Sequence, residues 1–179
     1  EKGLDRFYID TQVFKHYVHD PANKKSIGSN IVRNLYKDSQ GNIWAATQGA
    51  GIARYNKQDN TFTNFAHDPA NKNTIANNNT LCLAEGVDTK MWVGTEDEGF
   101  TILDVKANRG VTYNADPRDH TIRCIYKDDI GNIWLGTHSG GILFFPRFGE
   151  KFQCYKHDPL NSNTLSHSIV KSIVEDPDG

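Results

Sequence analysis

The feature that most restricts how this chain can fold is a repeat. The stretch Gly41-Asn42-Ile43-Trp44-Ala45-Ala46-Thr47 returns as Thr89-Lys90-Met91-Trp92-Val93-Gly94-Thr95 and again as Gly131-Asn132-Ile133-Trp134-Leu135-Gly136-Thr137. Each copy is a polar turn leading into a Trp strand that closes on Thr. A glycine follows each time, at Gly51, Gly99 and Gly141, with an apolar residue behind it. All three tryptophans therefore occupy one equivalent position. The Asp-Pro pairs at Asp20, Asp68, Asp116 and Asp158 fix the period independently: they are 48, 48 and 42 residues apart, and the tryptophans 48 and 42. The shortening falls between Asp116 and Gly131, in a single connector. Periods of this length mark stacked or ring-like repeat folds, in which each unit buries its faces against its neighbours.

Residues 1–26 read as the end of a unit, 27–74, 75–121 and 122–164 as three complete units, and 165–179 as the start of another. In the first complete unit the strand signals are Ile31–Tyr36, Asn42–Thr47, Gly51–Tyr55 and Thr61–Phe65, each bounded by Gly, Asn, Asp or Pro. The second repeats them at Leu81–Leu83, Met91–Thr95, Phe100–Asp104 and Gly110–Tyr113. The third does so at Ile122–Lys127, Asn132–Thr137, Gly141–Phe145 and Lys151–Tyr155, and a further first strand is expected at Ile169–Val174. Asp38 to Asn42 and Asn56 to Asn60 supply the Asx and Gly residues of tight hairpin turns. No segment has a helical period. The class is all-β, with four antiparallel strands per unit, which is the anatomy of β-propeller blades. Ile31, Val32 and Leu35 place apolar residues in both phases of a first strand, as expected of a strand covered on both faces.

Composition narrows the partners. With 20 basic and 22 acidic side chains the formal net charge is −2, which gives no electrostatic reason to expect contact with nucleic acid or an anionic membrane. Hydrophobic residues make up 37% of the chain and mean hydropathy is −0.63; no run approaches a membrane span. The first residues carry no charged segment followed by an apolar one. Cys82 and Cys124 are repeat equivalents, expected roughly 10 Å apart in stacked sheets, beyond the roughly 4.4 to 6.8 Å a disulfide needs. Free thiols are expected, and no Cys-x-x-Cys motif suggests a metal.

What repeats is assigned to structure. Trp44, Trp92 and Trp134 sit mid-strand and are expected to pack between blades rather than stack on sugars. Asp68 and Asp158, with the Asn residues that follow them, are turn formers whose spacing does not match a calcium loop. His19, His67 and His157 recur in the connector, where a structural hydrogen bond is expected. What does not repeat is the candidate for function. Gln48, the acidic trio Glu96, Asp97 and Glu98, and the pair His138-Ser139 occupy the short turn between second and third strands. Arg33, Arg123 and Lys171 stand on first strands, where polar heads can reach a central channel. These are candidate ligand contacts; no catalytic, cofactor or metal residue is expected.

The pattern Tyr-Lys-Asp-x-x-Gly-Asn-Ile-Trp-x-x-Thr, with Gly-Gly-Ile and a His-Asp-Pro-x-Asn connector, resembles the two-component regulator propeller repeat, in three complete and two partial copies. The second unit departs from it at Val87-Asp88-Thr89-Lys90 and Glu98-Gly99-Phe100. The resemblance implies a periplasmic sensor region of an inner-membrane hybrid two-component protein of Bacteroides type. It also implies recognition of glycan-derived oligosaccharides and relay to a histidine kinase that lies outside this chain. Two other readings stand beside it. A glycan-active propeller enzyme, a sialidase-like hydrolase or a lyase, is suggested by Asp38-x-x-Gly41-x-x-Trp44, but hydrolysis needs two convergent carboxylates. A protein-interaction scaffold of WD type lacks its Gly-His and Trp-Asp signatures. Three complete blades are about half of a seven-bladed ring, so further blades or a second copy, as a homodimer, are expected to cover the outer faces.

Overall fold

The computed structural model describes residues 3–114, 120–148 and 152–176. It contains three four-stranded antiparallel sheets and one two-stranded sheet. Strands β1 (Leu4–Tyr8) and β2 (Val13–Tyr17) form the two-stranded sheet. The first blade is β3 (Val32–Lys37), β4 (Ile43–Thr47), β5 (Gly51–Asn56) and β6 (Thr61–Phe65). The second is β7 (Thr80–Glu85), β8 (Met91–Thr95), β9 (Phe100–Asp104) and β10 (Arg109–Tyr113). The third is β11 (Ile122–Lys127), β12 (Ile133–Thr137), β13 (Ile142–Phe145) and β14 (Gln153–Tyr155). Strand order within each blade follows the chain, and the first strands of successive blades lie beside one another. The Asp116-Pro117 pair and Lys151 lie outside the described residues.

The core sits between sheets. Trp44, Ala46 and Ile52 of the first blade pack with Leu83, Met91, Val93 and Leu103 of the second. Cys82, Trp92 and Phe100 of the second pack with Ile122, Ile133, Leu135 and Leu143 of the third. Tyr17 and Ile27 close on Ala45, Ala53 and Phe62 at the other end. Trp44 and Trp92 are 2% and 9% exposed, whereas Trp134 is half-buried, because the segment after it covers it less fully than a complete blade. The glycine that follows each Trp strand is required by conformation. Gly51, Gly99 and Gly141 have φ of +74°, +72° and +82°, and a Cβ there would overlap the carbonyl of Phe65, Tyr113 or Tyr155.

Two expectations are corrected. Leu35 is 51% exposed, while its repeat equivalent Leu83 is 2% exposed. Leu83 lies beneath Trp44 in the seam between blades, but β1–β2 is two strands wide and leaves the corresponding face of β3 open. The segment Ile169–Val174, expected to be a strand, forms no ladder. It still follows the third blade as a first strand would: Gly141 N–H donates to Ser168 O at 2.9 Å and Val170 N–H to Thr137 O at 3.0 Å. A strand is defined by its ladder, and among the described residues this segment forms none. The cysteines are free, Cys82 buried and Cys154 exposed.

Candidate functional site

Each Trp strand is set by a polar turn. The Asp38 carboxylate accepts hydrogen bonds from Asn42 N (2.8 Å), Asn42 Nδ2 (2.8 Å), Trp44 Nε1 (2.9 Å) and Gln40 N (3.1 Å). Asp128 does the same with Asn132 N, Asn132 Nδ2 and Trp134 Nε1 at 2.7, 2.8 and 2.9 Å. Burial alone would raise both carboxyls, but the hydrogen bonds from the indole and the Asn outweigh it and hold them below the usual carboxylate range. These aspartates, which gave the Asp-x-x-Gly-x-x-Trp pattern its enzyme-like look, are committed to their own turns. In the second unit Gly86 stands in place of the Asp, a 3-10 turn covers Val87–Thr89, and the Trp92 indole lies against Gly86.

The connectors are also self-satisfying. Asp68 Oδ1 accepts from Ala70 N and Asp158 Oδ1 from Leu160 N, each at 2.9 Å. The recurrent His19, His67 and His157 hold Nδ1 at 3.0, 2.8 and 2.7 Å from the carbonyls of Ile27, Ile75 and Leu165, so each donates that proton. Among the described residues no group of three or more His, Cys, Asp or Glu is arranged to hold a metal.

Against this frame the non-repeating residues fall into pairs that the sequence did not reveal. Each first strand carries a β-bulge, between Val32 and Asn34, Thr80 and Cys82, and Ile122 and Cys124. The bulged residues are Arg33, Leu81 and Arg123. A bulge re-aims its side chain, and both arginines reach the residue that follows the closing Thr of the next strand. Arg33 Nη2 donates to Gln48 Oε1. Arg123 donates from Nε (3.1 Å) and Nη2 (2.8 Å) to His138 Nδ1, which is therefore the acceptor nitrogen of the exposed imidazole. Leu81 breaks the series, and in its unit Glu96, Asp97 and Glu98 are exposed. Glu96 N–H donates to Asn79 O at 2.9 Å, and Asp97, at φ +70°, accepts from Thr121 Oγ1 at 3.2 Å. Ser139 and Lys171 are exposed beside their blades. The short turns rest on the connector ends, as Gln48 N–H on Ile31 O and His138 N–H on Thr121 O show (2.9 and 3.1 Å). The structure thus sets an Arg–Gln pair, an acidic turn and an Arg–His pair in three successive blades, at the turn between second and third strands. These groups can bind a polar ligand through N–H donors and carboxylate acceptors; the two arginines are preset by their partners.

A second polar cluster has no counterpart in the sequence reading. The hydroxyls of Tyr17 and Tyr55 are hydrogen-bonded to each other at 2.8 Å and both lie within hydrogen-bond distance of the acceptor Asn60 Oδ1, at 3.1 and 2.6 Å, while Arg6 Nη1 donates to Tyr55 at 3.1 Å. Burial, and then the hydrogen bond with Tyr55, pushes the Tyr17 phenol well up. The signal was present, since Tyr55 stands where the other units carry Leu103 and Phe145, but only the folded seam puts its hydroxyl beside Tyr17.

Comparison with known proteins agrees with this architecture. The family model described as two component regulator propeller matches residues 26–49 and 116–139. No curated protein sequence matches the chain. Among solved structures, the extracellular domain of BT4673 from B. thetaiotaomicron, assigned to a hybrid two-component system, superposes with a TM-score of 0.79 at 17% identity, over 98% of this chain and 23% of its own. The extracellular domain of BT3049 from the same organism, assigned likewise, gives 0.74 at 23% identity, over 97% and 28%. PorZ, a surface component of the type-IX secretion system of Porphyromonas gingivalis, gives 0.60 at 13% identity, over 93% and 25%. The chain spans about a quarter of the length of these structures. With its blades, its Trp-strand turns and these matches in hand, the chain carries two-component regulator propeller repeats, one opening the first complete unit and one opening the third.

Proposed function

We propose that this chain is part of a non-enzymatic, extracytoplasmic sensor propeller, in the periplasm of a Bacteroides-type cell, that recognises glycan-derived oligosaccharides and passes the signal to a histidine kinase. The observation that carries the reading is the repeat itself, matched to two-component regulator propellers and built like extracellular domains assigned to hybrid two-component systems. The candidate contacts are Arg33 with Gln48, Arg123 with His138, and the turn of Glu96 and Asp97. Guanidinium and amide groups on a bulged edge suit sugar hydroxyls, and carboxylates accept from them.

The test is calorimetric titration of the chain, and of the full sensor region, with a panel of purified oligosaccharides. Saturable binding without turnover, weakened about ten-fold or more in an Arg33→Ala, Arg123→Ala double variant that melts like the parent, is expected. Turnover of a bound sugar that is abolished by Glu96→Gln would favour the glycan-active enzyme instead. Binding by the full region that survives the double variant would remove this face from the site.

A further inference from the structure

The residue that the bulge re-aims is Arg33 in the first blade, Leu81 in the second and Arg123 in the third. Both arginines are exposed, and neither is within ion-pair distance of a carboxylate among the described residues. That is so although acidic side chains outnumber basic ones, 22 to 20. Lys171 occupies the same repeat position in the segment that follows and is also exposed, but an ammonium is a point charge without a planar fork.

Other arginines show what a structural guanidinium does in this chain. Arg6, Arg54 and Arg147 lie over the rings of Tyr8, Trp44 and Phe148, at 4.5, 5.8 and 5.0 Å from the centroids. Arg33 and Arg123 lie over no ring among the described residues and are gripped instead by neutral acceptors, Gln48 Oε1 and His138 Nδ1. A neutral acceptor fixes the plane of a guanidinium without cancelling its charge. Arg123 commits Nε and one N–H of Nη2 to the imidazole, which leaves Nη1 and the second N–H of Nη2 as a free fork. Such a fork matches the two oxygens of a carboxylate or a sulfate.

The middle blade carries the opposite pattern. Leu81 removes the cation, and the turn position held elsewhere by Gln48 and His138 is Glu96, exposed and without an ion-pair partner among the described residues. Successive first strands lie beside one another, at no more than about the 10 Å of packed sheets. This carboxylate therefore stands between the two arginines. A ligand that reaches from Arg33 to Arg123 crosses an acceptor that repels a third anion and favours a hydroxyl or amide donor.

We infer that this edge selects oligosaccharides whose acidic groups, carboxylate or sulfate, flank an uncharged unit bearing hydroxyls or an amide, with one acid on Arg33 and the next on Arg123. The inference rests on the reading of this face as the sugar site and adds its charge pattern.

The 179-residue chain and the full sensor region are titrated calorimetrically with four hexasaccharides. Hyaluronan alternates carboxylates with neutral amide sugars, keratan sulfate alternates sulfates with neutral sugars, oligogalacturonate carries an acid on every unit, and chitin hexasaccharide carries none. Hyaluronan or keratan sulfate should bind at least about ten-fold more tightly than chitin hexasaccharide, and which of the two binds identifies the anion. Arg33→Met and Arg123→Met should each weaken that binding by about ten-fold, in variants that melt like the parent. Leu81→Arg with Glu96→Gln rebuilds in the middle blade the pair its neighbours have, and should strengthen oligogalacturonate binding by about ten-fold. Equal affinity for chitin hexasaccharide, or acidic binding that survives both Met variants, overturns the charge pattern and leaves the sugar-sensing reading standing. Oligogalacturonate bound by the parent as tightly as the alternating sugars overturns the assignment of the middle blade. Failure of all four to bind overturns the inference as well, and the sensing reading falls with it only if the wider oligosaccharide panel also fails.

Discussion

Asp38 and Asp128 each use one carboxylate to close a turn and to satisfy an indole N–H, and this sets how the fold responds to acid. Both are held below their unfolded value, so they stabilise the fold above about pH 4 and that contribution disappears as pH falls through their lower folded pKa. Stability measured by urea titration should therefore fall below about pH 4 in the parent, and Asp38→Asn should flatten part of that fall while lowering stability at pH 7. The tryptophans these aspartates hold differ in burial. Trp44→Ala should cost about 3–5 kcal/mol. Trp134→Ala should cost less, because Trp134 is half-buried and part of its surface is never removed from water. Equal losses in denaturant titrations would contradict the packing described for the two seams.

At the scale of the element, the hairpin from second to third strand is fixed by a glycine that no other residue replaces without strain. Gly141→Ala should cost about 1–3 kcal/mol, since it forces positive φ on a residue with a Cβ and drives that Cβ onto the Tyr155 carbonyl; a thermal melt reports the loss. The second-unit turn makes the complementary point. Restoring the repeat's aspartate with Gly86→Asp looks like a repair in one dimension, but the Trp92 indole already fills the space a Cβ would need. The expected outcome is destabilisation by about 1–3 kcal/mol; a variant as stable as the parent would mean that the indole moves to remake the clamp seen at Asp38. The bulges act on the same scale, because the one extra residue in each first strand turns Arg33 and Arg123 toward the following short turn.

Across the whole molecule, stability is carried by seams between neighbouring sheets, so protection should follow the number of covered faces. All five residues of β8 are buried and all three of β14 are exposed. Native-state hydrogen exchange should be slowest in β7 and β8 and fastest in β14 and the segment after Leu165. Uniform protection across the three blades would contradict a nearest-neighbour account. Polar contacts also cross the seams: Glu85, at the end of β7, accepts from Ser39 N and Ser39 Oγ in the first-blade turn at 2.8 and 2.9 Å. Glu175 meets the third blade in the same way, accepting from Asp129 N in its turn at 3.4 Å and from Tyr126 Oη of β11 at 2.9 Å. Residues 46 and 49 apart in sequence thereby tie each blade to the segment that follows it.

The sequence by itself determined the repeat, its period, the all-β class and the four strands of each complete unit. Period-2 patterning, turn residues and recurring glycines are local properties of the chain, and strand ends moved only slightly, as at Val32–Lys37 against Ile31–Tyr36. Trp44, Gly51 and the connector histidines were legible for the same reason: recurrence assigns a structural task before any contact is known. Burial of Leu35 and strand formation at Ile169–Val174 were not legible, because both depend on what lies across a seam rather than on the residues themselves. The candidate site was half-legible. Gln48, Glu96, Asp97 and His138 stood out by failing to repeat, but the pairing of Gln48 with Arg33 and of His138 with Arg123 depends on a bulge, a misfit between two strands that neither strand encodes alone. The cluster of Arg6, Tyr17, Tyr55 and Asn60 was decided by tertiary structure alone, since it joins side chains more than 30 residues apart whose hydroxyls are driven together by burial of the rings that carry them.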